Sequence, residues 1–175
     1  MRLVLATVFG LLVLFIAPAA SWAKGDMVLI EIKGASLTAP LKITDPKIQE
    51  FSVWAGPGVN GSTVENAEGF IADWRKGAVA QPADGVPRYE LSFYAGCRTA
   101  PSCLGETPIL VYVVSYAYDA SSKRGFIYLP GTSRNVSTIY HGKDVEGHWF
   151  LATDAWQDFV RPLIAKAAPH SATSN

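Results

Sequence analysis

The stretch ILVYVVSYAY, residues 109–118, decides the fold that this sequence predicts. It is apolar on both of its alternating faces, which is typical of a central β-strand that is covered on two sides. One face presents large side chains, and the other presents side chains small enough to let a helix pack closely. The large face consists of Leu110, Tyr112, Val114, Tyr116 and Tyr118, and the small face of Ile109, Val111, Val113, Ser115 and Ala117.

Strand patterns on both sides of this segment predict an antiparallel meander. Residues 88–94 (RYELSFY) alternate apolar and polar side chains before it, and residues 125–129 (GFIYL) return after a turn. The pattern indicates further short strands at 27–33, 41–44, 70–74, 136–141 and 149–151. The predicted fold class is α+β, with a mainly antiparallel sheet of about five to seven strands.

A short N-terminal helix is predicted to pack on this sheet. Asp45 can cap a helix, and Pro46 suits the first helical position because its missing amide would be unpaired there anyway. Ile48 and Phe51 would face the core. The helix should end near Trp54, before the breakers of AGPGVNG.

A C-terminal amphipathic helix is the clearest element in the sequence. Thr153 or Asp154 can cap it, and its apolar stripe has helical spacing, with Trp156, Phe159, Val160, Leu163, Ile164 and Ala167 on one side. We expect the stripe to pack on the small-residue face of the central strand. The opposite, solvent side would carry Asp158, Pro162 and Lys166.

Residues 1–23 match a secretory signal peptide. Arg2 gives the positive start, an apolar run follows, and Ser21-Trp22-Ala23 offers a small-x-small cleavage pattern. The run is shorter than the roughly 18 to 20 apolar residues of a spanning helix. We therefore expect a periplasmic or secreted protein with no membrane insertion after cleavage. Residues 24–167 would form a single α+β domain, and residues 168–175 a disordered tail.

The charge balance argues against nucleic acid and anionic membranes as partners. Removing the leader takes away one of the 15 Lys and Arg residues and none of the 15 Asp and Glu residues, which leaves a net charge of −1. Such a surface gives no electrostatic footprint for nucleic acid or for anionic membranes. We expect neither as a partner.

Cys97 and Cys103 are the only cysteines, and they lie in the connection between two predicted strands. Thioredoxin-type redox pairs have two intervening residues, whereas this pair has five. A zinc site needs four ligands. Besides the two thiols, the chain has only His141, His148 and His170, and His170 lies in the predicted disordered tail. In an exported protein the pair predicts a disulfide that clips the connection, with free thiols and metal or redox roles as the alternatives.

Aromatic side chains are the candidates for ligand binding. Four strand tyrosines could form a flat stacking platform for a sugar or a peptide, with tryptophans at its rim. The alternative is that these rings serve core or cross-strand packing. The candidate residues are Tyr112, Tyr116, Tyr118, Tyr128, Trp54 and Trp74.

The loop YHGKDVEGHW could bind a divalent ion, since it carries oxygen and imidazole ligands. The spacing of these ligands matches no metal motif. The candidate ligands are His141, Asp144 and His148, joined by Glu146. The alternative is a polar hairpin loop with solvated charges. We expect no metal and no cofactor.

No motif assembles a catalytic centre. The sequence lacks G-x-S-x-G, and Asp73, Glu90 and Asp119 could pair as acid and base only if the fold brings two of them together. We therefore favour a non-enzymatic binding or interaction module, whose partner would be a small molecule, a glycan or a protein. The alternative is a small secreted hydrolase that uses carboxylates or the loop from His141 to His148.

Seven stretches, taken in order, resemble a family of uncharacterised exported bacterial proteins: ITDPKIQEF, VWAGPGV, GFIADW, RYELSFYAG, VYVVSYAYD, GFIYLPG and WQDFVRPLIAKA. The resemblance spans roughly residues 40 to 167. The family has no established activity or catalytic residue, so the resemblance implies export and leaves the mechanism open. Against this family, the cysteine pair looks like a local addition in a hairpin loop, which favours a clip.

Overall fold

The computed structural model describes residues 25–35, 37–59, 70–96, 107–130, 141 and 144–169. Six antiparallel strands form one sheet, and a C-terminal helix packs on it, which confirms the α+β fold with an antiparallel sheet. The strands are β1 (Asp26–Gly34), β2 (Leu41–Ile43), β3 (Arg88–Gly96), β4 (Ile109–Asp119), β5 (Arg124–Tyr128) and β6 (Trp149–Leu151), and the helix is α1 (Asp154–Ala167).

Several predictions fall on residues outside these ranges. They concern the signal peptide, the cysteine pair Cys97 and Cys103, the strand up to residue 140, and the tail beyond residue 169. Among the residues that the structure describes, no helix combines the length and the apolar character needed to cross a membrane.

The strand order in the sheet is β2-β1-β3-β4-β5-β6. The predicted meander therefore holds from β3 to β6, whereas β1 lies between β2 and β3. The nine-residue β1 is long enough to pair along both of its edges, and the three-residue β2 takes the outer position. A short edge strand leaves little unpaired backbone exposed.

The side chains on one face of the sheet, here called the inner face, form the core. The register of β3 and β4 places Tyr89 opposite Tyr116, Leu91 opposite Val114 and Phe93 opposite Tyr112, and all six are buried. Because side chains alternate along a strand, these pairs point to the same side. β1 and β5 add Ile30, Ile32 and Ile127 to this face.

Helix α1 packs on the inner face, and the prediction that it packs on the small-residue face is wrong. The Trp156 ring is edge-on to Tyr116, with 6.4 Å between ring centroids, and Val160 and Ile164 are buried beside it. The whole sheet decides the face: β3 presents Tyr89, Leu91 and Phe93 on the inner side but charged residues on the other. The large face therefore buries more apolar area.

Thr153 begins α1 by accepting a hydrogen bond from the amide of Trp156 at 3.2 Å, as a helix N-cap does. Pro162 lies inside the helix and is exposed. The structure thus has one α-helix among the described residues, and its start agrees with the sequence prediction.

The segment predicted as a short N-terminal helix contains no α-helix, and Pro46–Phe51 forms a 3-10 helix instead. Asp45 caps it by accepting from the amide of Lys47 at 2.8 Å, and Ile48 and Phe51 are buried. The side chain of Gln49 hydrogen-bonds both the amide and the carbonyl of Met27, so it pairs the backbone of β1 beyond the end of β2. The turns that begin at Val53 leave too few residues for a longer helix.

The predicted strand at residues 70–74 is reduced to one bridge, between Ala72 and Ala152. A second 3-10 helix, Trp74–Lys76, follows at once, and Asp73 caps it through the amide of Arg75. Phe70, Ile71 and Ala72 are nevertheless fully buried, so this segment contributes to the core without joining the sheet.

Candidate functional site

A cavity of about 560 Å³ lies between α1 and the inner face of the sheet. Its sheet side consists of the three rings Tyr89, Tyr116 and Tyr118. Its helix side combines the polar residues Gln157, Asp158 and Arg161 with the apolar residues Pro162, Ile164, Ala165 and Ala168. The cavity that these residues line is here called the helix–sheet cavity.

Strand pairing explains why three tyrosines meet at this place. Tyr89 and Tyr116 are direct cross-strand partners, with ring centroids 6.1 Å apart, and Tyr118 follows two residues later on the same face. Tyr89 and Tyr118 also line a second depression, of about 530 Å³, beside the turns at residues 83–87 and 119–121. The aromatic wall is therefore accessible from two sides.

The hydroxyl of Tyr116 is the most informative atom of the helix–sheet cavity. Tyr116 is 0% exposed, and its hydroxyl has no hydrogen-bond partner among the described residues. Burial raises the pKa of this phenol, and the nearby Arg161 lowers it to a smaller extent, so the group is a neutral O–H donor at physiological pH. A buried polar atom without a partner costs free energy unless a bound molecule supplies one.

Two opposite charges border the helix–sheet cavity. The guanidinium of Arg161 lies over the ring of Tyr118, 4.2 Å from its centroid, which is a cation–π contact. Asp158 lies one turn earlier on α1. Neither forms an ion pair with any of the residues that the structure describes. Both side chains are exposed, so both are available to a molecule that enters the cavity.

Pro162 changes the hydrogen bonding of the same helix turn. Proline has no amide hydrogen, so the carbonyl of Asp158 lacks the donor that residue i+4 normally supplies in an α-helix. Asp158, a residue of the cavity lining, thus has a backbone carbonyl without its usual helical donor in addition to its carboxylate. Asp158 and Pro162 are exposed, in agreement with the solvent side that the helical pattern predicts for them, whereas the pattern predicts no role for Arg161.

The candidate residues Tyr112 and Trp74 lie in a different place, a buried cluster here called the polar core. It consists of Phe70, Trp74, Tyr112, His141 and Glu146. The Tyr112 hydroxyl donates to Glu146 Oε1 at 2.9 Å, and the same oxygen accepts from the backbone amide of His141 at 3.4 Å. The rings of Trp74 and Phe70 are stacked, each with its centroid 5.1 Å from His141.

His141 is held as a neutral imidazole in the polar core. Its Nδ1 lies 3.2 Å from the carbonyl oxygen of Pro57, and the residue is only 1% exposed. Burial lowers the pKa of His141 to about 4, although the hydrogen bond with Pro57 raises it slightly. The adjacent Gly58 allows this contact, since a side chain there would meet the backbone of His141.

The remaining aromatic candidates do not join the tyrosines of the helix–sheet cavity. Tyr128 pairs with Ser115 and therefore points to the outer face, where its ring lies 5.2 Å from Trp149. Trp54 is partly buried against the core. The four tyrosines proposed as one platform thus occupy three environments: Tyr112 in the polar core, Tyr116 and Tyr118 at the cavity, and Tyr128 on the opposite face.

The candidate metal ligands are also separated by burial. His141 is buried, whereas Asp144 and His148 are exposed, and the Nδ1 of His148 lies 3.2 Å from the carbonyl oxygen of Glu146. Within the described ranges, no group of three or more His, Cys, Asp or Glu side chains is placed to hold a metal ion.

Of the three carboxylates considered for acid–base chemistry, Asp73 and Asp119 are engaged locally and Glu90 is exposed. Asp73 pairs with Arg75 and Lys76, and Asp119 accepts hydrogen bonds from Ser121 and Ser122 that lower its pKa to about 2. Glu90 is exposed on β3. Comparison of the chain with family models, curated proteins and solved structures finds no match.

Proposed function

We propose that this protein is a non-enzymatic binding module and that the helix–sheet cavity is its ligand site. The observation that carries the proposal is Tyr116, a residue that lines the cavity and whose buried hydroxyl has no partner among the described residues. A bound molecule with an acceptor atom would satisfy this donor.

The dimensions and lining of the helix–sheet cavity suit a small organic molecule. Ligand pockets typically measure about 300 to 1,000 Å³ and combine apolar walls with a few polar groups. Here the walls are aromatic and aliphatic, and the polar groups are Tyr116, Asp158 and Arg161. The expected ligand is therefore a small amphipathic molecule, and chemical transformation of it is not part of the proposal.

We further propose that the protein acts outside the cytoplasm, with residues 1–23 removed and Cys97 joined to Cys103. The support is the leader pattern and the resemblance to exported bacterial proteins. Mass spectrometry of the protein from its native host should show an N-terminus near Lys24 and an intramolecular crosslink. An intact leader with both thiols alkylatable would overturn this part.

The ligand proposal is tested by blocking the helix–sheet cavity. A pooled thermal-shift screen of small molecules should identify compounds that raise the melting temperature of the wild-type chain. Ala165 lines the cavity, so Ala165→Trp should abolish those shifts. Ala155→Trp is the matched control, since Ala155 is also an exposed alanine of α1 but does not line the cavity. Equal shifts in both variants would contradict the proposal.

A further inference from the structure

We propose that the ligand of the helix–sheet cavity is a free α-amino acid with an apolar side chain, bound as a zwitterion; this inference rests on the proposed function. The feature that points to it is a pair of opposite charges, Asp158 and Arg161, at the border of one apolar cavity.

The helix spacing sets the distance between these two charges. Residues three apart on a helix are neighbours, with about 5 to 6 Å between their Cβ atoms. Such a pair often forms an ion pair, but Arg161 instead lies over the ring of Tyr118. The cation is thereby held on the sheet side and the anion on the helix, and a small molecule can lie between them.

Neither charge favours a ligand with a single charge of either sign. An anion attracted by Arg161 is repelled by Asp158, and a cation attracted by Asp158 is repelled by Arg161. A molecule that carries an ammonium and a carboxylate on one carbon atom meets both charges favourably. This is the arrangement of a free amino acid, and a residue inside a peptide does not have it.

Hydrogen bonds complete the match on both sides. The hydroxyl of Tyr116 is buried in the unliganded chain and lies within the electrostatic reach of Arg161, so it can donate to a ligand carboxylate near Arg161 once binding moves the side chains that cover it. A ligand ammonium near Asp158 can also donate to the Asp158 carbonyl, which Pro162 leaves without its helical donor. Each head group thus has one charged and one neutral partner.

The side chain of the bound amino acid would contact the apolar part of the cavity. Ile164, Ala165 and Ala168 are short or aliphatic, and Tyr89 and Tyr118 are aromatic. Aromatic pairs gain stabilisation beyond the burial of their area. We therefore use L-phenylalanine as the probe.

Isothermal titration calorimetry with four related probes tests the inference on the wild-type chain. L-Phenylalanine carries both head groups, 3-phenylpropionate carries only the carboxylate, 2-phenylethylamine only the ammonium, and 3-phenylpropan-1-ol neither. L-Phenylalanine should bind about tenfold or more tightly than each of the other three, because each charge-assisted hydrogen bond is worth roughly that factor.

Variants assign each head group to its partner. Arg161→Gln should remove the preference for L-phenylalanine over 2-phenylethylamine, and Asp158→Asn should remove its preference over 3-phenylpropionate. Lys166→Gln is the control, since Lys166 is an exposed charge of α1 that does not line the cavity, and it should leave all four affinities unchanged. These substitutions are on the surface, and circular dichroism checks that each variant is folded.

The outcomes separate this inference from the proposed function. If 3-phenylpropan-1-ol binds as tightly as L-phenylalanine, and Ala165→Trp abolishes both, the zwitterion is wrong and the binding site stands. If 3-phenylpropionate or 2-phenylethylamine binds most tightly, the inference is likewise overturned. If no probe binds, the inference fails, and the proposed function is decided by the pooled screen alone.

Discussion

Tyr112 and Tyr116 lie on the same strand, point to the same face and are equally buried, yet their hydroxyls have different surroundings. The Tyr112 hydroxyl donates to Glu146 inside the polar core. Tyr116 lines the helix–sheet cavity, and its hydroxyl has no partner among the described residues. The comparison teaches that burial of an aromatic ring does not by itself distinguish core from site. Here the two rings differ in what their polar atoms contact and in whether the residue lines a cavity.

The side chains opposite each tyrosine explain the difference. Large rings from two loop segments, Phe70, Trp74 and His141, contact one another beside Tyr112. Tyr116 contacts one large ring of α1, Trp156, but the cavity beside it is lined by short side chains of the same helix, among them Pro162 and Ala165. Interiors are normally close-packed, so a volume left beside small residues is a local departure from the packing elsewhere in the core.

The largest effect is expected from removing a ring of the polar core. Phe70→Ala should lower the free energy of unfolding by about 3 to 5 kcal/mol, because Phe70 is fully buried against Trp74, Phe93 and His141. Ile164→Ala, at the cavity, should cost about 2 kcal/mol or less, since Ile164 already borders open volume. Urea unfolding measures both, and equal losses would remove the packing difference between the two regions.

Acid should destabilise the polar core through His141. The unfolded chain protonates this group below about pH 6.5, whereas the folded chain resists protonation down to about pH 4. The free energy of unfolding is therefore unaffected by His141 above about pH 6.5, and protonation of this group in the unfolded chain lowers it by about 3 kcal/mol between pH 6.5 and pH 4.

The measurement is the pH dependence of the unfolding free energy in His141→Gln relative to wild type. The slope of the unfolding free energy between pH 4 and pH 6.5 should flatten in this variant, because glutamine does not titrate. Carboxylate titrations are common to both proteins and cancel in the comparison. His148→Gln, which changes an exposed histidine, should keep the wild-type slope. Parallel slopes in all three proteins would show that His141 is not held neutral by burial.

A smaller loss is expected when the Tyr112 hydroxyl is removed. Tyr112→Phe keeps the ring but takes a donor from the buried Glu146, so the unfolding free energy should fall by about 1.5 to 3 kcal/mol. Thermal and urea unfolding of the purified variant give the value. A change within experimental error would mean that Glu146 finds an equivalent donor.

The smallest effect is expected from the matched change at the other tyrosine. Tyr116→Phe removes a hydroxyl that has no partner among the described residues, so the stability should change by less than about 1 kcal/mol, in either direction. The same variant should weaken binding of a carboxylate-bearing ligand. A loss as large as that of Tyr112→Phe would contradict the assignment of Tyr116 to the cavity.

The sequence predicts the sheet and α1 well because local patterns determine them. Alternation identifies β3, a run that is apolar on both faces identifies β4, a return after a turn identifies β5, and the candidate caps Thr153 and Asp154 identify the start of α1. The sheet face that α1 covers cannot be predicted from the pattern of one strand, since it depends on which side of β3 carries charge. The site is less local still: Arg161 acts at the cavity only because α1 is placed over Tyr118. A sequence read one strand at a time cannot show that meeting.

Gly125, on β5, has a consequence for the lining of the helix–sheet cavity. A methyl group there would lie 2.9 Å from the Cβ of Ala152 and 2.9 Å from Oε1 of Gln157, at the beginning of α1. The close approach of β5 to Ala152 and to the Gln157 side chain therefore depends on glycine at this position, although Gly125 itself does not line the cavity. Substituting alanine at this position would displace Ala152 and the end of the Gln157 side chain, so an engineer could move a cavity-lining group without substituting any residue that lines the cavity.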